Sequence, residues 1–303
     1  MTDLAAPLPR LHTAGTTRRR RATGLARLWQ KAGPLMRICL VLFAIVVLLA
    51  IFGPALAPYD PNAQTLLARL KPPVGFAKSS SAHLLGTDQL GRDLLSRTLY
   101  GLQFTLLIAL IGSFISLFLG GILGIVAGYA RGRIGAIIMA LVDVQIAVPF
   151  TLIALLAIAM LGNSLPVLVC VIGIAGWETY ARIVRAQVLS VARMPFVEAA
   201  TAAGASHGRI LFKHVLPNIA SPIIVVWTMT FSSLILLESS MSFLGLGVQP
   251  PTATLGSMVG LGRDYLASSP WIAIVPSLAI MFVSLLVLLI GDWLRDALDV
   301  KLK

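Results

Sequence analysis

Very few residues of this chain have the types and spacing that catalysis requires. Residues 204–208 read Gly-Ala-Ser-His-Gly and match the Gly-x-Ser-x-Gly pattern, in which a serine nucleophile lies on a tight turn between a strand and a helix. The surrounding sequence instead predicts short helices between two apolar segments, which gives Ser206 neither that turn nor a sheet. We therefore predict no catalytic residue at this pattern.

Nucleotide and metal chemistry are not predicted either. A phosphate-binding loop of the Gly-x-x-x-x-Gly-Lys-Ser/Thr type needs a lysine directly after a glycine, and no lysine of the chain has that neighbour. The four histidines are scattered, without a His-Glu-x-x-His pair. Cys39 and Cys170 lie inside apolar segments, which is typical of small core residues. The sequence thus predicts a protein that is not an enzyme and that holds no metal or cofactor.

The remaining candidates are acidic residues within or near apolar segments, namely Asp143, Glu178 and Glu238. A charge inside a membrane is costly and often marks a functional site. Glu178 and Glu238 fall near predicted segment ends, where hydrated, helix-stabilising roles are at least equally expected. Asp143 lies deeper in its segment, so it is the candidate for lining a path through the membrane or pairing with another subunit.

Composition indicates that membrane helices position these residues. The chain is 57% hydrophobic and only 12% charged, and its mean hydropathy is +0.90. A soluble domain carries roughly 25% charged residues. The net charge of +12 is compatible with nucleic-acid binding. The basic residues flank apolar segments instead of forming one stripe, however, so membrane orientation explains the charge better and no nucleic-acid partner is predicted.

Six apolar segments are long enough to cross a bilayer, which takes roughly 17–25 residues. They lie near residues 37–57, 102–128, 134–161, 165–181, 219–242 and 270–291. They predict an all-α integral membrane protein with a basic cytoplasmic tail (1–35), a first helix and outer loop (36–101), and a core of five helices (102–303). A glycine at every fourth position of the second segment predicts close packing on a neighbouring helix. These glycines are Gly120, Gly124, Gly128 and Gly132.

The distribution of lysine and arginine predicts which ends face the cytoplasm. With the N-terminus inside, 18 of the 24 basic residues fall on the cytoplasmic side and 6 on the opposite side. Both termini and the loop 197–217 are therefore expected in the cytoplasm. Residues 55–57 (Ala-Leu-Ala) resemble a signal-peptide cleavage site. The apolar run before them is longer than a signal peptide needs, however, and Pro58 would follow the cut, so we favour an uncleaved first helix.

The loop 197–217, between the fourth and fifth apolar segments, is the most informative part of the chain. Its notable residues are Glu198, Ala199, Ala200, Gly204, Arg209, Lys213, Leu216 and Pro217. Small residues let a partner's backbone approach closely, and glycine permits a turn that a Cβ opposes. The pattern predicts a helix, a bend and a second short helix that dock in a cleft of another protein. The alternative, an amphipathic helix on the lipid surface, explains the basic residues but not the acid, the glycine or Leu-Pro.

A second informative segment, residues 83–101, precedes the second apolar segment. It reads His-Leu-Leu-Gly-Thr-Asp-Gln-Leu-Gly-Arg-Asp-Leu-Leu-Ser-Arg-Thr-Leu-Tyr-Gly. The alternating charges and two glycines predict a turn that leads into a short helix, with Thr87 or Asp88 as its N-cap and a local pair between Arg92 and Asp93. From the residues alone, an ordinary loop at the membrane surface is an equal alternative.

Together these segments resemble the membrane subunits of binding-protein-dependent ABC importers. The signature loop of that family reads Glu-Ala-Ala, three residues, Gly, about nine residues and Ile/Val-Leu-Pro, which residues 198–217 match closely. Residues 85–97, 242–251 and 291–299 are similar to the second (C-type) permease of the dipeptide, oligopeptide and nickel class. The resemblance covers residues 36–303. It departs from the family at Leu255, where tryptophan is usual, and at Ala140, where arginine is common.

The resemblance implies a six-helix type I importer (MetI-like) permease fold in the bacterial inner membrane. The implied partners are a second, homologous permease that forms a heterodimer, two ATP-binding subunits that hydrolyse the ATP, and an extracytoplasmic substrate-binding protein. The implied ATPase-coupling surface comprises Glu198, Ala199, Ala200, Gly204, Arg209, Lys213, Leu216 and Pro217. Dipeptides, oligopeptides, glutathione and nickel chelates all remain open as substrates, with peptide favoured.

Two other classes remain to be weighed against the importer. An ion-coupled secondary transporter needs polar residues that converge at the middle of the membrane, where Asp143 is the only candidate. A membrane-embedded hydrolase needs a nucleophile and a base, and no such pair is visible. The importer permease is the function that we predict, with the secondary transporter as the alternative.

Overall fold

The computed structural model describes residue 29, residues 31–130 and residues 132–298. Across these residues the secondary structure is helical, apart from loops and one isolated antiparallel bridge between Thr87 and Asp93. The all-α prediction is therefore confirmed. Most of the basic tail predicted for residues 1–35 lies outside the described residues, as do residues 299–303.

The helices follow one another with short connections, except for a long loop after the first. In chain order they are α1 (Pro34–Leu56), α2 (Leu94–Tyr129), α3 (Gly132–Ala147), α4 (Phe150–Leu161), α5 (Leu165–Ile174), α6 (Trp177–Val191), α7 (Pro195–Ala202), α8 (His207–Ile210), α9 (Leu216–Phe243), α10 (Leu255–Gly262) and α11 (Trp271–Leu298). Short turns at Leu66–Ala68 and Arg263–Tyr265 and a π-helical turn at Leu211–Val215 accompany them.

Five helical segments are long and apolar enough to cross a membrane. They are α1, α2, α5 with α6 (Leu165–Val191), α8 through α9 (His207–Phe243), and α11. Helices α3 and α4 pass the same test together, and they provide a sixth span if the pair is counted as one. Each of the six apolar segments found in the sequence therefore corresponds to helix.

The third segment is not the continuous helix predicted over residues 134–161. Helices α3 and α4 meet at an angle of 90° across Val148 and Pro149. Proline has no backbone N–H and clashes with the preceding turn, and it disfavours a helical conformation in the residue before it. Hydropathy is continuous through this proline, so the apolar pattern alone gives no sign of the bend.

The fourth segment differs from its prediction in length and continuity. It continues past residue 181 to Val191, and it is interrupted at Ala175 and Gly176, where Gly176 has a φ of +85°. The hydroxyl of Ser116 on α2 donates to backbone carbonyls at this interruption. Glu178 consequently lies halfway along the helical segment Leu165–Val191.

Helix α2 connects the two ends of the bundle. Its 36 residues extend for about 54 Å at 1.5 Å per residue. The loop after α1 packs around its first turn, where Tyr59 N–H donates to Ser96 Oγ at 3.2 Å. At its last residue, the Tyr129 hydroxyl lies 3.2 Å from Nδ1 of His207. The outer loop and the loop 197–217 therefore lie at opposite ends of the helix bundle.

The glycine stripe packs α2 closely against α6, as predicted for three of its four members. The packed glycines are Gly120, Gly124 and Gly128. A Cβ on Gly124 would lie 2.7 Å from the carbonyl oxygen of Ala181, which leaves no room for any side chain. Gly132 is the exception, because it begins α3 with a φ of +63° and a Cβ there would contact nothing. The helix-packing role predicted for Gly132 is therefore wrong.

The segment before α2 is a buried ionic network and not an ordinary surface loop. Asp88 is only 2% exposed. Its carboxylate accepts a hydrogen bond from Nε of Arg92 at 2.6 Å and lies 3.5 Å from Nε of Arg97. Gly91, with a φ of +72°, turns the chain so that Arg92 folds back onto Asp88. Because removal of one partner would leave a buried charge unpaired, we expect this network to fix the loop on the bundle.

The N-cap of α2 is Asp93, so the cap predicted at Thr87 or Asp88 is wrong. The Asp93 carboxylate accepts from the backbone N–H of Ser96 at 2.8 Å and lies 2.9 Å from Nδ1 of His83. The predicted pair of Arg92 with Asp93 is wrong for the same reason. The helix begins more than one turn later than the charge pattern indicates. Asp93 therefore caps the helix, and Asp88 pairs with Arg92 and Arg97.

Candidate functional site

Residues 195–215 form a compact unit that we call the knob. Pro195 begins α7 at a position where the missing N–H of proline breaks no helical hydrogen bond. After Gly204, α8 and the π-helical turn lead directly into α9. The helix, glycine bend and second short helix that the sequence predicts are all present.

The bend at Gly204 has the hydrogen-bond pattern of a Schellman helix end. The N–H of Ala205 donates to the carbonyl of Ala200, and the N–H of Gly204 donates to that of Thr201, both at 3.0 Å. The φ of Gly204 is +80°, a conformation that costs an L-residue roughly 1–2 kcal/mol. A Cβ on Gly204 would meet nothing within 4 Å. The glycine therefore serves the turn and not the packing of this chain.

Apolar side chains anchor the inner face of the knob to the bundle. Val197 is 5% exposed, Ile210 is 3% exposed and Val215 is fully buried. They pack with Val184 and Val188 of α6. A helix on a lipid surface buries its apolar face among lipids, whereas this face is buried in the protein, so the knob is fixed to α6.

The outer face of the knob carries most of the predicted coupling residues. Glu198, Ala199, Gly204, Arg209, Lys213 and Pro217 are exposed, whereas Ala200 and Leu216 are half-buried. Phe212, which the sequence analysis did not single out, is 71% exposed next to Lys213. In a mostly apolar sequence, one more phenylalanine does not indicate a surface position. Only the structure shows that Ile210 and Val215 face inward while Phe212 faces outward.

Asp143 does not reach an internal cavity. Its carboxylate lies 2.8 Å from the guanidinium of Arg182, and both side chains are exposed. Glu238 contradicts the hydrated role expected for it, since it is fully buried and accepts a hydrogen bond from Ser242 at 2.7 Å. The chain after α9 folds back as α10, which covers this end of α9. Burial by a later segment leaves no trace in the hydropathy of α9.

A cavity of about 670 Å³ opens beside the bent α3–α4 pair. Its walls come from the residues around the bend, from α6 just after the interruption at Gly176, and from the middle of α9. Most of the lining is apolar, for example Val148 and Phe150. Its polar residues are Gln145, Glu178, Thr179, Thr230 and Ser233. A largely apolar cavity with a few converging polar groups is the usual form of a small-molecule site.

Gln145 and Glu178 form one polar wall of this cavity. The Gln145 amide donates to the Glu178 carboxylate at 3.1 Å and to the carbonyl of Ile174 at 3.2 Å. The indole N–H of Trp177 donates to the amide oxygen of Gln145. The sequence analysis proposed Asp143 for such a wall, but the residue that the fold brings to the cavity is Glu178. The bend at Pro149 and the interruption at Gly176 bring the two polar residues together.

The bundle of apolar spans, the cavity between them and the knob are the features expected of a multi-span membrane permease. The chain belongs to the family of inner membrane components of binding-protein-dependent transport systems, whose model matches residues 120–303. Residues 31–73 match the N-terminal transmembrane domain of oligopeptide transport permease C. The protein is therefore a permease subunit of an ABC importer, a kind of subunit that is not itself catalytic, and it acts within a bacterial inner membrane.

Curated relatives are similar over most of their length. The di/tripeptide transport system permease protein DppC of Pseudomonas aeruginosa is 43% identical over 87% of each chain. The probable D,D-dipeptide transport system permease protein DdpC of Escherichia coli is 38% identical over 93% of each. A chain of the MetNI methionine ABC transporter, solved in inward-facing conformations, has 18% identity and a TM-score of 0.53 over 66% of this chain and 96% of its own. That likeness concerns the fold alone, which is the type I importer fold.

Proposed function

We propose that this permease forms half of a peptide translocation path and is driven by cytoplasmic ATPase subunits that dock on the knob. The observation that carries the proposal is the construction of the knob, in which an exposed face of small residues is held rigidly against two helices of the bundle. Ala199 and Gly204 allow close approach of a partner's backbone, and Glu198, Arg209 and Lys213 supply charges at the rim. Docking of an ATPase subunit accounts for small residues and charges on one exposed face, whereas contact with lipid does not.

The packing of the knob supplies a route from ATP hydrolysis to the cavity. The knob's buried residues contact Val184 and Val188 of α6 and Ile219 of α9. The same two helices line the cavity, α6 with Glu178 and α9 with Ser233 among others. A displacement of the knob on closure of the ATPase dimer is thus transmitted to two cavity walls. In this mechanism the walls open alternately to the two sides of the membrane.

The other partners follow from the same proposal. A second, homologous permease contributes the other half of the path, and an extracytoplasmic binding protein delivers the substrate. Peptide is the proposed substrate because the similar permeases from Pseudomonas and Escherichia are named for di/tripeptide and D,D-dipeptide transport. A cavity of about 670 Å³ falls within the range of roughly 300–1,000 Å³ that holds small ligands.

The proposal is tested by reconstitution. In proteoliposomes with the second permease, both ATPase subunits and the binding protein, we expect peptide uptake that is inhibited by vanadate and persists when the proton gradient is collapsed. The purified chain alone is expected to hydrolyse no ATP, because it lacks a phosphate-binding loop. Uptake that follows the proton gradient and ignores vanadate would favour a secondary transporter instead.

We also propose that the knob and both termini are cytoplasmic. In a Cys170→Ser background, a membrane-impermeant thiol reagent applied to intact cells is expected to label Ser81→Cys, which is exposed in the outer loop. It is expected not to label Ser206→Cys in the knob until the cells are permeabilised. Labelling of Ser206→Cys from outside would place the knob on the extracytoplasmic side, where cytoplasmic ATPase subunits cannot reach it, and would contradict the coupling proposal.

A further inference from the structure

We propose that Glu178 receives the positively charged α-ammonium group of the peptide as it crosses the cavity. This inference rests on the proposed peptide-translocating function and adds a specificity residue to it. Glu178 is the one charged side chain among the described residues that line the cavity, and it lies in the first turn of α6. A carboxylate among mostly apolar lining residues is costly to leave unpaired, so its position calls for a partner.

Within the part of the chain that the structure describes, Glu178 forms no ion pair. The nearest cation along α6, one turn later, is Arg182, and its guanidinium is held by Asp143 at 2.8 Å. The Asp143–Arg182 pair lies outside the cavity lining, whereas Glu178 lies within it. The described residues thus leave the Glu178 carboxylate available to a cationic group of the ligand.

The hydrogen bonds of Glu178 position it and still leave acceptor sites free. Gln145 donates to one carboxylate oxygen at 3.1 Å, and the Thr179 hydroxyl lies 3.5 Å from the other. A carboxylate has about four acceptor positions, so an ammonium group with three donors still finds acceptors. Trp177 and the carbonyl of Ile174 hold Gln145 in turn, so the orientation of the carboxylate is set before any ligand arrives.

The rest of the cavity suits a peptide whose side chains vary. Apart from its polar residues, the lining is apolar and includes Val148, Phe150, Met229 and Leu237. Such walls accept side chains of different shapes, because adding or removing one methylene group changes the binding free energy only modestly. Every peptide with a free N-terminus carries the same ammonium group, so a single carboxylate recognises the class without selecting the sequence.

A position in the first turn of α6 also stabilises a carboxylate through the helix dipole. That structural role and ligand binding make different predictions for the isosteric variant Glu178→Gln. Loss of a dipole contact would weaken the helix irrespective of the ligand. Loss of an ammonium receptor would weaken the binding of ligands with a free amine and leave the binding of an analogue with an acetylated amine unchanged.

The experiment measures occupancy of the cavity directly. In the full importer complex in nanodiscs, with Cys170→Ser and Ser233→Cys, the new cysteine lies in the cavity lining and is labelled with N-ethylmaleimide. Dialanine, whose α-ammonium is its only positive charge, is expected to slow the labelling at millimolar concentration, whereas N-acetyl-dialanine is not. Glu178→Gln should raise the half-protecting concentration of dialanine about tenfold, the equivalent of one charged hydrogen bond.

Two matched variants complete the test. Asp264→Asn removes an exposed carboxylate that is not part of the cavity lining and should leave protection by dialanine unchanged. Glu178→Asp, which keeps the charge, should retain the preference for the free amine. The inference is overturned if dialanine does not protect, or if Glu178→Gln leaves protection unchanged or shifts both peptides equally. Failure of the proposed function is separate, since it would appear as no ATP-dependent uptake of dialanine by the wild-type complex with its binding protein.

Discussion

Gly204→Val is expected to abolish ATP-driven uptake while the chain still inserts in the membrane and pairs with the second permease. A β-branched residue opposes the φ of +80° that the Schellman turn requires, so α7 and α8 can no longer meet at their present angle. The substituted side chain would also stand on the exposed face where a partner approaches. The measurements are uptake in proteoliposomes and co-purification of the ATPase subunits, both of which should be lost.

Gly245→Val is the matched control for this prediction. Gly245 also has a positive φ, +83°, and a Cβ there would likewise contact nothing within 4 Å. It has the same pair of hydrogen bonds, from Leu246 N–H to Met241 and from its own N–H to Ser242, and it follows α9 at the end away from the knob. Equal losses in the two variants would mean that Gly204→Val acts through general destabilisation. A Gly204→Val chain that retains its ATPases and transports normally would contradict the docking proposal itself.

Glu198→Ala is expected to have a much smaller effect on the same two measurements. Glu198 is exposed at the rim of the knob, and a single exposed charge pair typically contributes less than about 1 kcal/mol. Comparison of Glu198→Ala with Gly204→Val separates the contribution of the rim charge to docking from that of the shape of the bend. A large loss from Glu198→Ala would mean that charge at the rim matters more than the shape of the bend.

The sequence predicts the helical segments and the knob well because both depend on local patterns. Apolar runs of bilayer length produce helices wherever they occur, and a glycine after an alanine-rich helix is a recognisable C-terminal signal. The stripe of Gly120, Gly124 and Gly128 likewise predicts close packing of α2 on a neighbouring helix. In each case the residues that specify the structure lie within a few turns of one another.

The cavity could not be predicted in the same way, because it depends on where separate segments meet. Pro149 breaks one apolar run and Gly176 another, and only their juxtaposition brings Gln145 to Glu178. The sequence favoured Asp143 because depth in a segment was the only available criterion. That criterion also depended on assumed helix ends, and the helix in fact continues past residue 181 to Val191. Burial of Glu238 by α10 is a tertiary effect of the same kind.

Gly120→Val is expected to prevent the bundle from forming. The Cβ would run into the carbonyl oxygen of Trp177 and lie 2.7 Å from Cβ of Tyr180, and a backbone carbonyl cannot rotate away as a flexible side chain does. Overpacking costs typically about 1–3 kcal/mol where side chains can adjust, and here α2 must separate from α6. Helix α6 lines the cavity and packs against the knob, so its separation from α2 would disturb both parts of the proposed transport site.

Gly121→Val provides the control at the next residue of the same helix. A Cβ on Gly121 would meet nothing within 4 Å. The chemical change is the same, glycine to valine, in the same helix. The yield of monodisperse protein after detergent extraction is the measurement, read by size-exclusion chromatography and thermal unfolding. We expect Gly120→Val to give aggregated or degraded chain and Gly121→Val to match the wild type. Normal yield and melting temperature for Gly120→Val would show that α2 and α6 are not in backbone contact, and the route from the knob through α6 to the cavity would then have to be abandoned.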